Sequence, residues 1–404
     1  MAFQQRLPDR WSGRDLRPLI GGMLSLVAAM GIGRFAYTPL LPVMQAQLHW
    51  SVSYASLLAS DNYAGYLVGA ITAGWLPNRG IFHRLTWVRF ALVAISLTLL
   101  AMGVTTGPDW WLLWRGLAGV FSAWVIVLSS SLILDWLGRS DNAPSGGIFY
   151  AGVGLGIALT GLLVPLWTGP GNWRHGWIGL GLVSLVLGAA AIVLMAPLNE
   201  FTRAIIADEQ GAVAHPPAFR LWGLTVAYGM EGLGYIVMAT FITAFFRHLP
   251  GAPWMGDASW ILVGMAAMPS TWLWTRIAQT RGSRRALLAA FGLQAVGVVL
   301  PVVWANGGTA ILGSLLFGGT FMGITTLALS LGRQCAPSRS QRVMATMTAC
   351  FGMGQMIGPL GAGALMRVTH AYAPALLGSG IMLLGAGGLL WMTRGETPAD
   401  RLPP

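Results

Sequence analysis

About twelve apolar stretches, each about 20 residues long and separated by short polar turns carrying arginine, recur along this chain. Nothing in a bilayer core satisfies stray backbone N–H and C=O groups, so each stretch has to be a helix that closes its own hydrogen bonds. A water-soluble fold is excluded from a second direction. With 55% hydrophobic residues, 9% charged residues and a mean hydropathy of +0.65, a chain of 404 residues carries more apolar surface than one core can hide. The expected class is an all-α membrane protein of twelve transmembrane helices. The spans fall near 19–43, 54–77, 85–105, 110–136, 144–168, 174–197, 220–246, 256–279, 286–305, 309–332, 342–367 and 372–393.

All 24 basic residues are arginine. Without lysine there is no Walker A loop and no Schiff base, so the chain neither drives transport with ATP itself nor holds pyridoxal phosphate in that way. Cys335, Cys350 and six scattered histidines show no metal-ligand spacing, and neither a disulfide framework, a zinc site nor any cofactor is expected. The opening stretch Met1 to Pro18 is polar, and the apolar run after it is too long for a cleaved signal, so it is expected to stay as the first transmembrane helix. With the N-terminus inside, about 19 arginines fall on cytoplasmic segments, about three outside (Arg174, Arg247, Arg367) and about two within the membrane. The +11 net charge is then an inner-face belt, with Arg79, Arg84, Arg276, Arg281 and Arg284 among its members, and not a nucleic-acid stripe.

The longest polar interval, Asn199 to Pro217, divides the chain into two parts with matching landmarks. Gly31-Ile32-Gly33 answers Gly232-Leu233-Gly234, Leu67-Val68-Gly69 answers Leu262-Val263-Gly264, and Gly154-Leu155-Gly156 answers Gly352-Met353-Gly354. Three pairs in the same order, roughly 195 to 201 residues apart, indicate an internal duplication with parallel topology. The expected organisation is a cytoplasmic N-terminal segment (1–18), a six-helix bundle (19–198), a cytoplasmic linker (199–218), a second six-helix bundle (219–393) and a cytoplasmic tail (394–404).

At this point the chain resembles the major facilitator superfamily over nearly its whole length. The superfamily loop G-x-L-a-D-R-x-G-R-R after the second helix is matched by Gly74, Leu76, Asn78, Arg79, Gly80 and, less regularly, Arg84. The repeat copy reads Thr275, Ile277, Gln279, Gly282, Arg284 and Arg285, so both copies replace the acid, by Asn78 and Gln279. Arg115 and Gly119 look like the R-x-x-x-G element of the fourth helix, and the segment Gly31 to Pro42 is similar to a bacterial branch with G-x-G-R-F-x-Y-T-P-L-L-P. The resemblance implies two six-helix bundles around a central cavity, a secondary transporter in the bacterial inner membrane, and both termini in the cytoplasm. It also assigns gating or coupling to Arg115, Gly119, Asn78, Arg79, Gln279 and Arg284.

Four ionisable residues inside the spans are the candidates for chemistry, because a charge at a helix centre costs roughly 2.5 to 3.5 kcal/mol on insertion scales. They are Arg34, Asp61, Arg115 and Glu231. If they share the cavity, Asp61 holds Arg34 while Glu231 is free to take up a proton, since desolvation disfavours a charged carboxylate. Glu231 and Asp61 are thus the proton-coupling candidates. The plainer reading is a fixed bridge from Arg34 to Asp61 or Glu231 that locks helices together, and for Arg115 a side chain snorkelling to the outer headgroups. Helical spacing puts Met30, Arg34, Tyr37 and Leu41 on one stripe and Glu231, Tyr235 and Met238 on another. With Gln355, a polar side chain in the eleventh span, these nominate Arg34, Tyr37, Tyr235, Met238 and Gln355 for substrate binding.

Glycine runs in the fifth and eleventh spans suit close, rocking helix contacts, and Gly358-Pro359 resembles the antiporter signature G-x-x-x-G-P, though in the eleventh helix and not the fifth. The reading that follows is a proton-coupled exporter of a small molecule, not an enzyme, acting in the lipid bilayer with no nucleic acid, metal or obligate protein partner. The alternatives are an importer of a small organic anion, a copper carrier using the methionine pairs, or a membrane sensor.

Overall fold

The computed structural model describes residues 16–73, 81–139, 146–168, 172–198, 221–335 and 340–393. Within them the chain forms twelve helices. The first, α1, comes in three segments: an α-helix Arg17–Leu26, a π-helix Val27–Ile32 and, after an irregular turn, an α-helix Tyr37–Leu48. The others are α2 (Val52–Ala73), α3 (Ile81–Val104), α4 (Pro108–Arg139), α5 (Gly146–Thr168), α6 (Trp173–Leu194), α7 (Leu221–Arg247), α8 (Met255–Arg281), α9 (Ser283–Val303), α10 (Gly307–Cys335), α11 (Ser340–Thr369) and α12 (Ala373–Met392). The expected linker at 199–218, the tail at 394–404, nearly all of the segment 1–18, and Asn78 and Arg79 lie outside the described residues.

Nine of these helices are long and apolar enough to cross a membrane by length and composition alone. The remaining three are α2, α8 and α11, which lie on the seams between the first and last six helices: α2 runs along α11, and α8 along α5. Several helices extend a turn or so past the apolar stretch that predicted them, α4 from 110–136 to Pro108–Arg139 for example. Hydropathy marks the buried middle of a helix, whereas hydrogen bonding continues into its wetter ends.

The sequence predicts one regular first helix, and α1 departs from that. Gly33 N–H reaches Ala28 O (2.9 Å) and Phe35 N–H reaches Met30 O (3.2 Å), both wider than α-helical spacing. Two prolines account for the next irregularity. Pro39 has no N–H for the Phe35 carbonyl, which accepts instead from Thr38 N–H at 3.2 Å. Pro42 in turn frees the Thr38 carbonyl, and the Thr243 hydroxyl of α7 donates to it at 2.6 Å. The Thr38 hydroxyl donates to Ala239 O at 2.7 Å, so α1 and α7 are knotted together at this level.

We call the face where α1 begins proximal and the opposite face distal. Contacts between α1 and α7 fall on the distal segment of α1, while its proximal segments pack on α5 and α6. Tyr63 of α2 and Thr240 of α7 meet at 3.4 Å, and a Cβ on Gly363 of α11 would lie 2.2 Å from Ser56 Oγ of α2. The distal ends of the first and last six helices are therefore closed against each other. Along the flanks, a Cβ on Gly154 of α5 would come 2.6 Å from the Met268 backbone of α8, so bare backbone surfaces meet there.

Candidate functional site

The irregular turn of α1 aims Arg34 between the first and last six helices. Its side chain is only 2% exposed. The guanidinium lies 3.9 Å from the Tyr66 ring centroid and 5.1 Å from that of Tyr63, so α2 supplies two aromatic faces to one buried cation. From α11, Gln355 accepts a hydrogen bond from Arg34 through Oε1 and donates through Nε2 to the Tyr235 hydroxyl of α7. Tyr235 lies nearly parallel to Phe321 (5.8 Å, 4°) and to Phe351 (5.6 Å, 12°), which gives the last six helices a flat apolar wall beside that amide. Arg34 forms an ion pair with neither Asp61 nor Glu231. The expected bridges are replaced by a neutral amide, and the charge keeps no carboxylate partner among the described residues.

Tyr37 does not share this wall. The break in α1 turns it away, so its hydroxyl donates to Ala55 O at 2.9 Å and its ring lies 4.9 Å from the Arg115 guanidinium. Arg115 is enclosed, 1% exposed, between that ring and Trp177 at 6.0 Å, and does not snorkel to a surface. None of its three guanidinium nitrogens has a hydrogen-bond partner among the described residues. Asp61 sits nearby with its carboxylate against Gly116, where a Cβ would lie 3.0 Å from Oδ2, and that oxygen too has no partner.

Close helix approach encloses Arg115 and Asp61. A Cβ on Gly119 would lie 2.0 Å from Asn62 O, and one on Gly65 would lie 2.0 Å from Gly116 O, so α2 and α4 touch backbone to backbone. Asn62 Nδ2 donates to Arg115 O at 2.8 Å and fixes their register.

Glu231 is fully buried one helical turn before Tyr235, but it faces α9 and not Arg34. Gln294 Nε2 approaches its Oε1 at 3.5 Å, while Glu231 Oε2 and Gln294 Oε1 have no partner. Met238 is fully buried in α7. Gln279 is exposed at the end of α8, and Arg284 Nη2 donates to Leu390 O (2.6 Å) and Trp391 O (3.2 Å) at the end of α12, where a cation complements the helix dipole. Met265 and Met353 are exposed.

Sequence reasoning missed Tyr63, Tyr66, Gln294 and the glycines at 65 and 116. The tyrosines sit two and five residues past Asp61 and carried a usable signal, aromatic rings beside a charged turn. Gln294 carried none, since its partner is 63 positions away and no spacing rule joins them.

A family model described as uncharacterised MFS-type transporter YbfB matches residues 26–390. Among curated proteins, the chain is 28% identical over 150 residues to the uncharacterized MFS-type transporter YcaD of Escherichia coli O139:H28 (strain E24377A / ETEC), with the same figures for strains SMS-3-5 / SECEC and O157:H7 (EC4115 / EHEC). The match covers 36% of this chain and 38% of each relative, so the chain spans under half the length of the curated relatives it matches.

Proposed function

We propose that this chain, which belongs to the family of MFS-type transporters and is therefore a multi-pass membrane transporter, moves a small organic anion by proton-coupled alternating access. The observation that carries the reading is Arg34. It is a permanent cation, buried between the first and last six helices, whose acceptor is the neutral Gln355 and which no carboxylate neutralises among the described residues. A substrate carboxylate taking the place of Gln355 Oε1 replaces a neutral acceptor by a charged one, and charge-assisted hydrogen bonds are roughly twice as strong. The apolar body of such a substrate lies against Tyr66 on one side and the Tyr235–Phe321 wall on the other.

Two rigid bundles, 19–198 and 219–393, rock about the α2–α11 and α5–α8 seams. Glu231 supplies the coupling proton. It stands one turn from Tyr235, so a change in its charge is felt at the hydroxyl that Gln355 holds. Asp61 assists from the opposite bundle. Export is the favoured direction, on the Gly358-Pro359 element of α11, where Gly358 packs on Leu233 and Ile236 of α7. The arginine belt supports a reading in which the protein spans the bacterial inner membrane with both termini on the cytoplasmic side.

The test uses purified protein in liposomes with an internal pH dye, challenged with benzoate, lactate, succinate, an amphipathic amine and Cu(I). A proton signal evoked by a carboxylate and absent in Glu231→Gln supports the reading. A signal from the amine or from Cu(I) alone, or carboxylate transport with no proton movement, refutes it.

A further inference from the structure

The charges in the first six helices do not balance. Arg34, which lies over the Tyr63 ring, and Arg115 are within electrostatic reach of each other, and Asp61 is the single carboxylate beside Arg115 among the described residues. Arg115 is the more exceptional of the two. Its three guanidinium nitrogens all lack a hydrogen-bond partner among the described residues at 1% exposure, and a buried charged donor left unmet forfeits its hydration without compensation. Asp61 attracts it through space but relieves it only in part, because the two form no ion pair and Asp61 Oδ2 has no hydrogen-bond partner among the described residues. Tyr37 and Trp177 present ring faces, which hold a cation without consuming its N–H groups. The Tyr37 hydroxyl donates to Ala55 O and accepts nothing from Arg115.

We propose that Arg115 is a second anion site, built from α1, α2, α4 and α6, that holds a substrate carboxylate after it leaves Arg34 on its way to the distal face. The assignment rests on the organic-anion reading above. Position supports the sequence of events: Arg115 packs on Tyr37, in the distal segment of α1, whereas Arg34 sits in the turn before it. Asp61 gives the site its exit. A carboxylate held beside another carboxylate is held weakly, and a transport path needs sites that bind well enough to enter and poorly enough to leave.

The experiment measures thermal unfolding of the purified full-length protein in the Arg34→Gln background, which removes the central site, titrated with sodium acetate against sodium chloride at equal ionic strength. A ligand that binds only the folded state raises the midpoint in proportion to its affinity. Acetate is expected to stabilise Arg34→Gln beyond chloride, Arg34→Gln/Arg115→Gln is expected to lose that increment, and Arg34→Gln/Asp61→Asn is expected to bind acetate about tenfold more tightly. No acetate-specific increment, an increment that survives loss of Arg115, or chloride matching acetate overturns the proposal. If the Arg115 variant does not fold, the Asp61→Asn arm decides, and unchanged acetate affinity there overturns it too. Liposome flux separates this from the broader reading: if no carboxylate is transported while the Arg115-dependent increment is present, the substrate assignment falls and the anion site stands.

Discussion

Helices α1 and α7 open the two six-helix halves and carry the same glycine landmarks, and they differ in a complementary way. The glycine frame is kept, Gly31 and Gly33 against Gly232 and Gly234. At the same offset, Arg34 corresponds to Tyr235, Met30 to Glu231, Pro39 to Thr240 and Pro42 to Thr243. One copy is broken and the other runs unbroken from Leu221 to Arg247. Where α1 has a proline that frees a carbonyl, α7 has a threonine whose hydroxyl meets it. The two copies also split the chemistry: the buried cation is on α1 and the buried acid on α7. The pair teaches that a duplicated frame fixes where helices touch, while single substitutions on it decide what each copy does.

Removing the cation from α1 is the strongest way to break this comparison. Arg34→Gln should lower kcat/KM for carboxylate flux by roughly a hundredfold or more with the protein still folded, since it deletes a charge-assisted bond that Tyr235 cannot supply. Flux within a few fold of the unsubstituted protein would mean that α1 does not hold the substrate charge. Next comes the acid on α7. Glu231→Gln should abolish flux driven by a proton gradient and leave substrate exchange across the membrane within about threefold, because exchange needs no net protonation change. Loss of both, with folded protein, would assign Glu231 to binding instead.

The knot between the copies is tested by Thr243→Val. It leaves the Thr38 carbonyl without a donor, and roughly 1 to 2 kcal/mol should move the balance about tenfold towards states open at the distal face, read as faster labelling of a cysteine placed there. Adding Pro42→Ala returns an N–H to α1 and should recover much of that shift. Additive effects in the pair would sink the proline-threonine account. The smallest effect is expected at Tyr235→Phe, which removes only the hydroxyl that Gln355 Nε2 donates to and keeps the ring stack, so flux should fall about threefold or less.

The fold was largely legible before any coordinates, because a bilayer leaves an apolar stretch of about 20 residues one conformation. The seams were legible in part: the glycines of the fifth and eleventh spans marked two contact faces, but Gly65 and Gly116 were lost among 55 glycines. Arg34 was legible as a centre because a buried charge stands out against an apolar background. Its surroundings were not, since Tyr63, Tyr66 and Gln355 come from helices whose rotation about their axes is set by packing. The α1 stripe failed at Tyr37 for a related reason. A periodicity of 3.6 residues per turn assumes an unbroken helix, and the π segment with two prolines changes the turn between Arg34 and Tyr37. The prolines at 39 and 42 were the visible warning.

The proline-threonine joint also bears on ancestry. A molecule assembled from two copies of the first bundle would have a freed Thr38 carbonyl on each side and no counterpart of the Thr243 hydroxyl to meet it, only the Thr38 hydroxyl that now donates to Ala239 O. Two copies of the second would bring Thr243 to Thr243, with hydroxyls on both sides and no freed carbonyl to receive them. Each bundle now carries half of a lock whose other half lies only in its sibling, so the two are no longer interchangeable parts, and keeping them on one polypeptide guarantees that every lock made finds its key.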